Sequence, residues 1–204
     1  MKKNSFTILE LILVIVLLSI LYSIFKINTP KNKIDELTNR LSLQLKYLRY
    51  KALIDSKKSY SEEVWFKKRW TLKFYRCREE VGGIYYVIYS DSNMQGHPNK
   101  TESLKDPLSN KYIYNSNSCQ EKDDLSKYSL LTKNYFIDKI QLSCNNTSSL
   151  GQISFSNDGK IYTKLSNNDS KSILVEDCKV KIIDKYENIR EIEIKKETSY
   201  IKIN

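Results

Sequence analysis

Four cysteines are the side chains best suited to chemistry in this chain. They form no CxxC pair, and His97 is the single histidine, so the sequence does not indicate a zinc site. An even number of widely spaced cysteines is typical of disulfides formed in an oxidising compartment. Three connectivities are possible. We predict the sequence-order pairing, Cys77 with Cys119 and Cys144 with Cys178, and buried free thiols are the alternative.

Sequence patterns of known catalytic sites are missing. There is no G-x-S-x-G elbow, no glycine-rich phosphate loop and no H-E-x-x-H helix. Carboxylates cluster in "REE" (78–80) and "EKDD" (121–124), but adjacent acids in turns are usually solvated, whereas a calcium loop needs oxygens at alternating positions. We therefore predict neither an enzyme nor a bound cofactor or metal.

A basic stretch over residues 46–78 is the best candidate for a binding surface. It holds eleven Lys or Arg against three acids, with aromatic residues interleaved, in a chain of net charge +10. Such a mixture is typical of surfaces that neutralise phosphates and stack bases. The alternative is a structural stretch whose aromatics serve the core, since strand residues alternate between faces. The candidate nucleic-acid contacts are Lys57, Lys58, Lys67, Lys68 and Arg69.

The segment from Phe6 to Phe25 is apolar except for one carboxylate, Glu10. Twenty helical residues rise about 30 Å, which matches the hydrocarbon core of a bilayer. The run lacks the small-residue cleavage site of a secretory signal, so we expect the helix to be retained. These features predict a transmembrane helix over 6–30, in which a central charge costs about 2.5 to 3.5 kcal/mol.

The short basic leader "MKKNS" is followed directly by "FTILE", which contains Glu10. Residues 2–25 resemble the class III signal of type IV pilins and type II secretion pseudopilins. The resemblance implies that 1–5 is a cytoplasmic leader, that prepilin peptidase cleaves between Ser5 and Phe6, and that Phe6 is then N-methylated. Ser5 departs from the usual glycine.

The same resemblance assigns Glu10 a role in assembly. In pilin-like filaments the corresponding carboxylate neutralises the N-terminal amine of a neighbouring subunit, here that of Phe6. The implied partners are other pilins or pseudopilins and an inner-membrane assembly platform with its ATPase. The implied location is the inner membrane, as a single-pass protein with a cytoplasmic N-terminus and a periplasmic C-terminal domain that enters a filament after cleavage.

Behind the membrane segment, helical periodicity resumes over 31–56. Apolar residues at three- and four-residue steps define one face, which we expect to pack on the rest of the domain. Residues 57–204 read as antiparallel β structure, with hairpin signals at Gly82-Gly83 and Asp158-Gly159 and a pair of strands around "KYEN". The predicted fold is α+β and pilin-like: a long N-terminal transmembrane helix that continues into an amphipathic helix on antiparallel sheet. The amphipathic face is Ile34, Leu37, Leu41, Leu45, Leu48 and Ala52.

A second resemblance concerns the subtype. The step from Arg49 to Ala52 and the turn from Phe155 to Gly159 are similar to motifs of the H-type minor pseudopilins. The resulting prediction is a minor subunit of a pseudopilus or pilus-like filament for type II secretion or DNA uptake, in contact with secreted protein or DNA. The alternative is a DNA-binding receptor pilin of natural competence.

Overall fold

The computed structural model contains three α-helices and eight strands within the residues that it describes. These are 7–25, 30–165, 168 and 170–204, without the side chains of 23–25 and 30–32. The helices are α1 Ile8–Phe25, α2 Pro30–Ile54 and α3 Leu131–Tyr135. The strands are β1 Trp70–Arg76, β2 Ile84–Tyr89, β3 Ile137–Leu142, β4 Gln152–Phe155, β5 Ile161–Tyr162, β6 Cys178–Asp184, β7 Ile189–Ile194 and β8 Ile201–Ile203.

The first helix corrects the membrane prediction. α1 has 18 residues, a rise of about 27 Å, which is less than the ~30 Å thickness of a bilayer core. Along the described parts of the chain, no helix is both long and apolar enough to cross a membrane. The predicted transmembrane span over 6–30 is therefore wrong. The predicted pilin-like fold, in which a transmembrane helix continues into the amphipathic helix, is wrong with it, and so is the single-pass inner-membrane placement.

The second helix carries the predicted apolar face. Pro30 opens α2, a position that proline tolerates because the first N–H groups of a helix have no intrahelical acceptor. All six residues of the predicted face are at most 3% exposed, which confirms that part of the prediction. The face packs against strands of both sheets, so α2 is the element on which the core is built. Its last residue is Ile54, close to the predicted end at 56.

The strands form two separate antiparallel sheets. The first sheet has the order β2-β1-β4-β5 and the second has β3-β6-β7-β8. In the first, β1 pairs with its neighbour β2 and also with the distant β4, where Thr71 lies opposite Ser154. In the second, consecutive hairpins place β7 between β6 and β8, with Glu193 opposite Lys202. One hydrophobic core under α2 includes residues from both sheets.

Strand β2 is buried along its whole length. Its residues Ile84, Tyr86 and Ile88 point into the core under α2. Tyr85 and Tyr89, which alternate with them, belong to a smaller cluster with Cys119 and Leu130. A strand covered on both faces reads as continuously apolar, and here the long segment between β2 and α3 supplies the second cover.

The hairpins match their sequence signals to different degrees. The β4–β5 turn contains Gly159 at φ +80°, and the β6–β7 turn lies at the predicted "KYEN". The β1–β2 connection is longer than the two glycines suggest, because the strands separate after Arg76 and resume at Ile84. Gly83 takes φ +100° there, and a Cβ at this position would lie 2.9 Å from Thr132 Cβ.

Candidate assembly helix and the predicted site residues

The side chains of α1 form a long exposed apolar surface. Every described side chain from Ile8 to Tyr22 is exposed, and the large hydrophobic ones range from 40% at Val14 to 80% at Ile8. Apolar residues lie on all sides of this helix rather than on one face. A helix that is apolar all round is normally buried against something, and contiguous apolar patches of this extent mark interaction sites.

Glu10 lies in the first turn of α1 and caps that helix. Its carboxylate Oε2 accepts the Thr7 backbone N–H at 2.9 Å and the Thr7 hydroxyl at 3.0 Å. The Glu10 backbone N–H in turn donates to Thr7 Oγ1 at 3.3 Å. This reciprocal arrangement is a capping box, for which the spacing Thr-x-x-Glu is the sequence signal. The sequence prediction gave Glu10 a partner in another subunit and did not identify Thr7 as its local hydrogen-bond partner.

The capping bonds also fix the charge state of Glu10. Hydrogen bonds from the Thr7 backbone and side chain lower the pKa of the Glu10 carboxyl below its ordinary value of 4.5. The group therefore carries a negative charge at neutral pH, at the helix end where a negative charge is favoured. Ser5 and Phe6, the predicted processing site, lie outside the described residues.

The structure does not bring the five candidate nucleic-acid contacts together as a free basic surface. Lys57 Nζ lies 2.8 Å from Asp55, and Lys68 Nζ lies 2.8 Å from Glu62. Arg69 is only 4% exposed. Lys58 is exposed with its ammonium 5.2 Å from the Tyr60 ring centre, and Lys67 is half-buried. Ionic partners already neutralise two of the five cations, and a third lies inside the fold.

The aromatic residues of the same stretch mostly serve the core. Phe66, Trp70 and Phe74 are buried, whereas Tyr50 and Tyr60 are 55% and 94% exposed. Tyr47, Trp65 and Tyr75 are half-buried. Few flat faces are thus left on which bases could stack, and the geometry of residues 46–78 favours the structural alternative.

The four cysteines form two disulfides, one associated with each sheet. Cys77, directly after β1, joins Cys119 in the segment that covers β2. Cys144, just after β3, joins Cys178 at the start of β6, to which β3 is paired. This is the sequence-order pairing. The first bridge holds the covering segment onto the first sheet, and the second closes one end of a strand pair.

Other candidates for chemistry are sparse in the described residues. No group of three or more His, Cys, Asp or Glu side chains is placed to hold a metal ion there. A cavity of about 580 Å³ lies between the β1–β2 connection and the outer edge of β3. Its polar lining includes Arg76, Thr132, Asp138 and Lys185. The Thr132 hydroxyl is engaged with the backbone, accepting the Ile84 N–H and donating to the Ile137 carbonyl.

Comparisons with known proteins do not assign the chain to a family. No family model matches it, and neither a curated protein nor a solved structure does. The resemblance of residues 2–25 to pilin signals therefore stays a prediction from the sequence, together with the processing, assembly and partners that it implies.

Proposed function

We propose that this protein is a pilin-like structural subunit that assembles through α1 into a filament serving protein secretion or DNA uptake. The observation that carries the proposal is the exposed apolar surface of α1 beside a folded α+β domain. The signal-like sequence "MKKNSFTILE" gives the surface its interpretation. The role is assembly, not catalysis.

Burial of apolar surface supplies the driving force for assembly. The large hydrophobic side chains between Ile8 and Tyr22 are at least 40% exposed in the single chain. Burying a side chain of this kind contributes about 1.5 to 3 kcal/mol. Helices of neighbouring copies, packed side by side, would cover this surface on all sides, which a single flat partner could not do. The sheets would then lie outside such a helical core.

Glu10 gives the packed helices a fixed axial position. It is the only charged residue from Thr7 to Phe25, so in a bundle of α1 helices it would be surrounded by apolar side chains. A carboxylate in such surroundings requires a partner of opposite charge. The amine that cleavage creates on Phe6 of a neighbour is that partner, and low dielectric strengthens the pair. Prepilin peptidase and an assembly platform with its ATPase are the further partners that this route requires.

Two substitutions separate capping from assembly. Glu10→Gln retains the capping box, since Gln serves at the same helix position, but removes the charge. Thr7→Ala removes the hydroxyl that caps the helix and leaves the carboxylate. Both variants would be produced in cells carrying the assembly machinery, and the sheared filament fraction would be compared with the total folded protein. We expect Glu10→Gln to lower incorporation by at least about tenfold, roughly 1.4 kcal/mol, and Thr7→Ala to have a much smaller effect.

The two opposite outcomes are informative. If Glu10→Gln entered filaments as well as wild type does, the proposed charge pair between subunits would be refuted. An equal loss in both variants would reduce Glu10 to a helix cap. Mass spectrometry of the mature chain tests the class itself: an N-methylated Phe6 at the N-terminus is expected, and an intact Met1 would overturn the proposal.

A further inference from the structure

The segment "DSNMQGHPNKTE", residues 91–102, has the spacing of a calcium-binding loop. In a twelve-residue loop of this type, side-chain oxygens stand at positions 1, 3 and 5, glycine at 6 and glutamate at 12. Here those positions are Asp91, Asn93, Gln95, Gly96 and Glu102. Gly96 has the positive φ, +78°, that the sharp turn at the sixth position requires. The fifth residue departs from the pattern, which has Asp or Asn there.

An unpaired buried oxygen is the independent sign of a ligand. Asp91 is 3% exposed, yet its Oδ1 has no hydrogen-bond partner among the described residues. Its other oxygen, Oδ2, accepts the Gly96 backbone N–H at 2.8 Å, which orients the carboxylate into the loop. Asp91, Met94 and Gly96 line a common cavity of about 270 Å³. A buried carboxylate oxygen without a donor is costly, and a cation in the loop would satisfy it.

The last ligand position is already drawn towards the first half of the loop. Glu102 Oε1 accepts the Asn93 backbone N–H at 2.9 Å, and Oε2 accepts the Asn99 N–H at 3.2 Å. Each oxygen retains a lone pair for a metal. The Asn99 side chain caps the 3₁₀ turn Lys100–Glu102, and this cap fixes the position of the Glu102 backbone. Both ends of the loop are therefore held in place before a cation arrives.

We propose that residues 91–102 bind one Ca²⁺, with Asp91, Asn93, Gln95 and Glu102 as side-chain ligands. The backbone carbonyl of His97 stands at the seventh position, where such loops supply a main-chain oxygen. Only two of these ligands, Asp91 and Glu102, are carboxylates. The site therefore does not contain the three acidic or other ionisable ligands described as missing above. Affinity in these loops follows the number of ligand charges, so a dissociation constant of about 10⁻⁴ to 10⁻³ M is expected, as in extracellular modules.

Two lysines set the upper limit of that affinity. Lys67 and Lys73 line the same cavity as Asp91. Burial lowers the pKa of the Lys73 ammonium, and the charge of Asp91 opposes that shift. An ammonium close to the loop competes with Ca²⁺ for the field of the carboxylate. The site is thus suited to millimolar rather than nanomolar calcium.

Binding can be measured on the full chain after removal of metal with a chelator. Tb³⁺ would be titrated with excitation of tyrosine, because Tyr89 lines the cavity and can sensitise the ion, and Ca²⁺ would then displace it. Thermal unfolding would be followed in CaCl₂, in MgCl₂ at equal concentration and in chelator. We expect one displaceable ion per chain and a higher midpoint in CaCl₂ than in MgCl₂, since Mg²⁺ tolerates this flexible geometry poorly.

Variants locate the ion. Asn93→Ala and Glu102→Gln should each weaken Ca²⁺ binding about tenfold or more, because removing even a hydrogen-bond partner of a metal ligand costs that much affinity. Asn93 is exposed, and its Oδ1 accepts the Gln95 N–H at 3.0 Å, a bond within the loop, so we expect its replacement to leave the rest of the fold intact. Glu80→Gln, an exposed acid in the β1–β2 connection, is the matched control and should bind as wild type. Equal midpoints in CaCl₂ and MgCl₂, or wild-type affinity in both loop variants, would overturn the proposal.

Discussion

The guanidinium of Arg69 lies 3.6 Å from the ring centre of Tyr162, with both side chains buried. Arg69 directly precedes β1, and Tyr162 ends β5 at the far edge of the same sheet. The contact therefore crosses the first sheet, and the Trp65 ring lies 5.0 Å from the same guanidinium. An arginine held in this way contributes to the fold rather than to an exterior contact with phosphates.

Replacing Arg69 should lower stability. Arg69→Ala removes a desolvated cation–π contact, worth about 2 kcal/mol, together with the packing of the aliphatic stem. We expect a loss of about 2 to 4 kcal/mol in the free energy of unfolding, measured by denaturant titration with disulfides intact. Lys58→Ala, at an exposed neighbour, should change stability by no more than about 0.5 kcal/mol. Equal values for the two variants would contradict a structural role for Arg69.

Gly83 should tolerate no side chain. Gly82→Ala and Gly83→Ala both place alanine at positive φ, +68° and +100°, which costs about 1 to 2 kcal/mol. Only at Gly83 does the new Cβ meet Thr132, at 2.9 Å. Displacing Thr132 breaks its bonds to Ile84 and Ile137. Thermal or chemical unfolding should therefore show Gly83→Ala to be less stable than Gly82→Ala by about 1 to 2 kcal/mol, and equal midpoints would refute the steric account.

Glu193 should make the second sheet sensitive to acid. Hydrogen bonds from Lys195, Lys202 and Asn204 lower the pKa of its carboxyl from 4.5 to about 2. Because the folded pKa is the lower one, the carboxylate stabilises the fold fully above pH 4.5. That contribution declines as the pH falls from 4.5 towards 2, and it is lost below 2.

The matching measurement is the unfolding free energy as a function of pH. Glu193→Gln should be less stable than wild type at pH 7, and the difference should shrink between pH 4.5 and pH 2. Glu63→Gln, at an exposed position, serves as the control and should follow the wild-type curve. A gap between wild type and Glu193→Gln that persists unchanged to pH 2 would show that the charge is not its source.

Each disulfide should contribute to stability through the loop that it closes. The bridged residues are 42 and 34 positions apart, for which chain entropy predicts about 4 kcal/mol per bridge. Cys77→Ser with Cys119→Ser, and Cys144→Ser with Cys178→Ser, should each lower the denaturant midpoint. Reductant should shift wild type to below either double variant. A wild-type midpoint that is insensitive to complete reduction would contradict this prediction.

Local periodicity predicted the elements better than it predicted their partners. The three- and four-residue steps from Ile34 to Ala52 defined the buried face of α2, and the strand pair predicted around "KYEN" corresponds to β6 and β7. The division into two sheets was not predictable, because β1 pairs with β4 across more than seventy residues and no local signal encodes that choice. Helix α3 reads as strand in the sequence.

The candidate sites show the same limit. Thr7-x-x-Glu10 is visible as a capping box in the sequence, and the spacing of 91–102 is visible too, so both signals were available. Burial of Asp91 and of Arg69 was not, since each depends on segments distant in the chain. The membrane prediction relied on apolar length, and the described helix covers Ile8–Phe25, which is shorter than the predicted span.

The disulfides leave one part of the molecule without covalent reinforcement. Both loops, 77–119 and 144–178, lie downstream of α2, so no crosslink joins Pro30–Ile54 to the sheets. A pull applied at α1 would first load the packing of α2 against the sheets, because the backbone enters the first sheet only at Trp70, beyond the end of α2. Under tension, α2 would separate from the sheets one turn at a time, starting at Ile34, while the sheets with their disulfides stayed folded. The hydrophobic contact between α2 and the sheets is thus the part of this molecule that would give way first under tension.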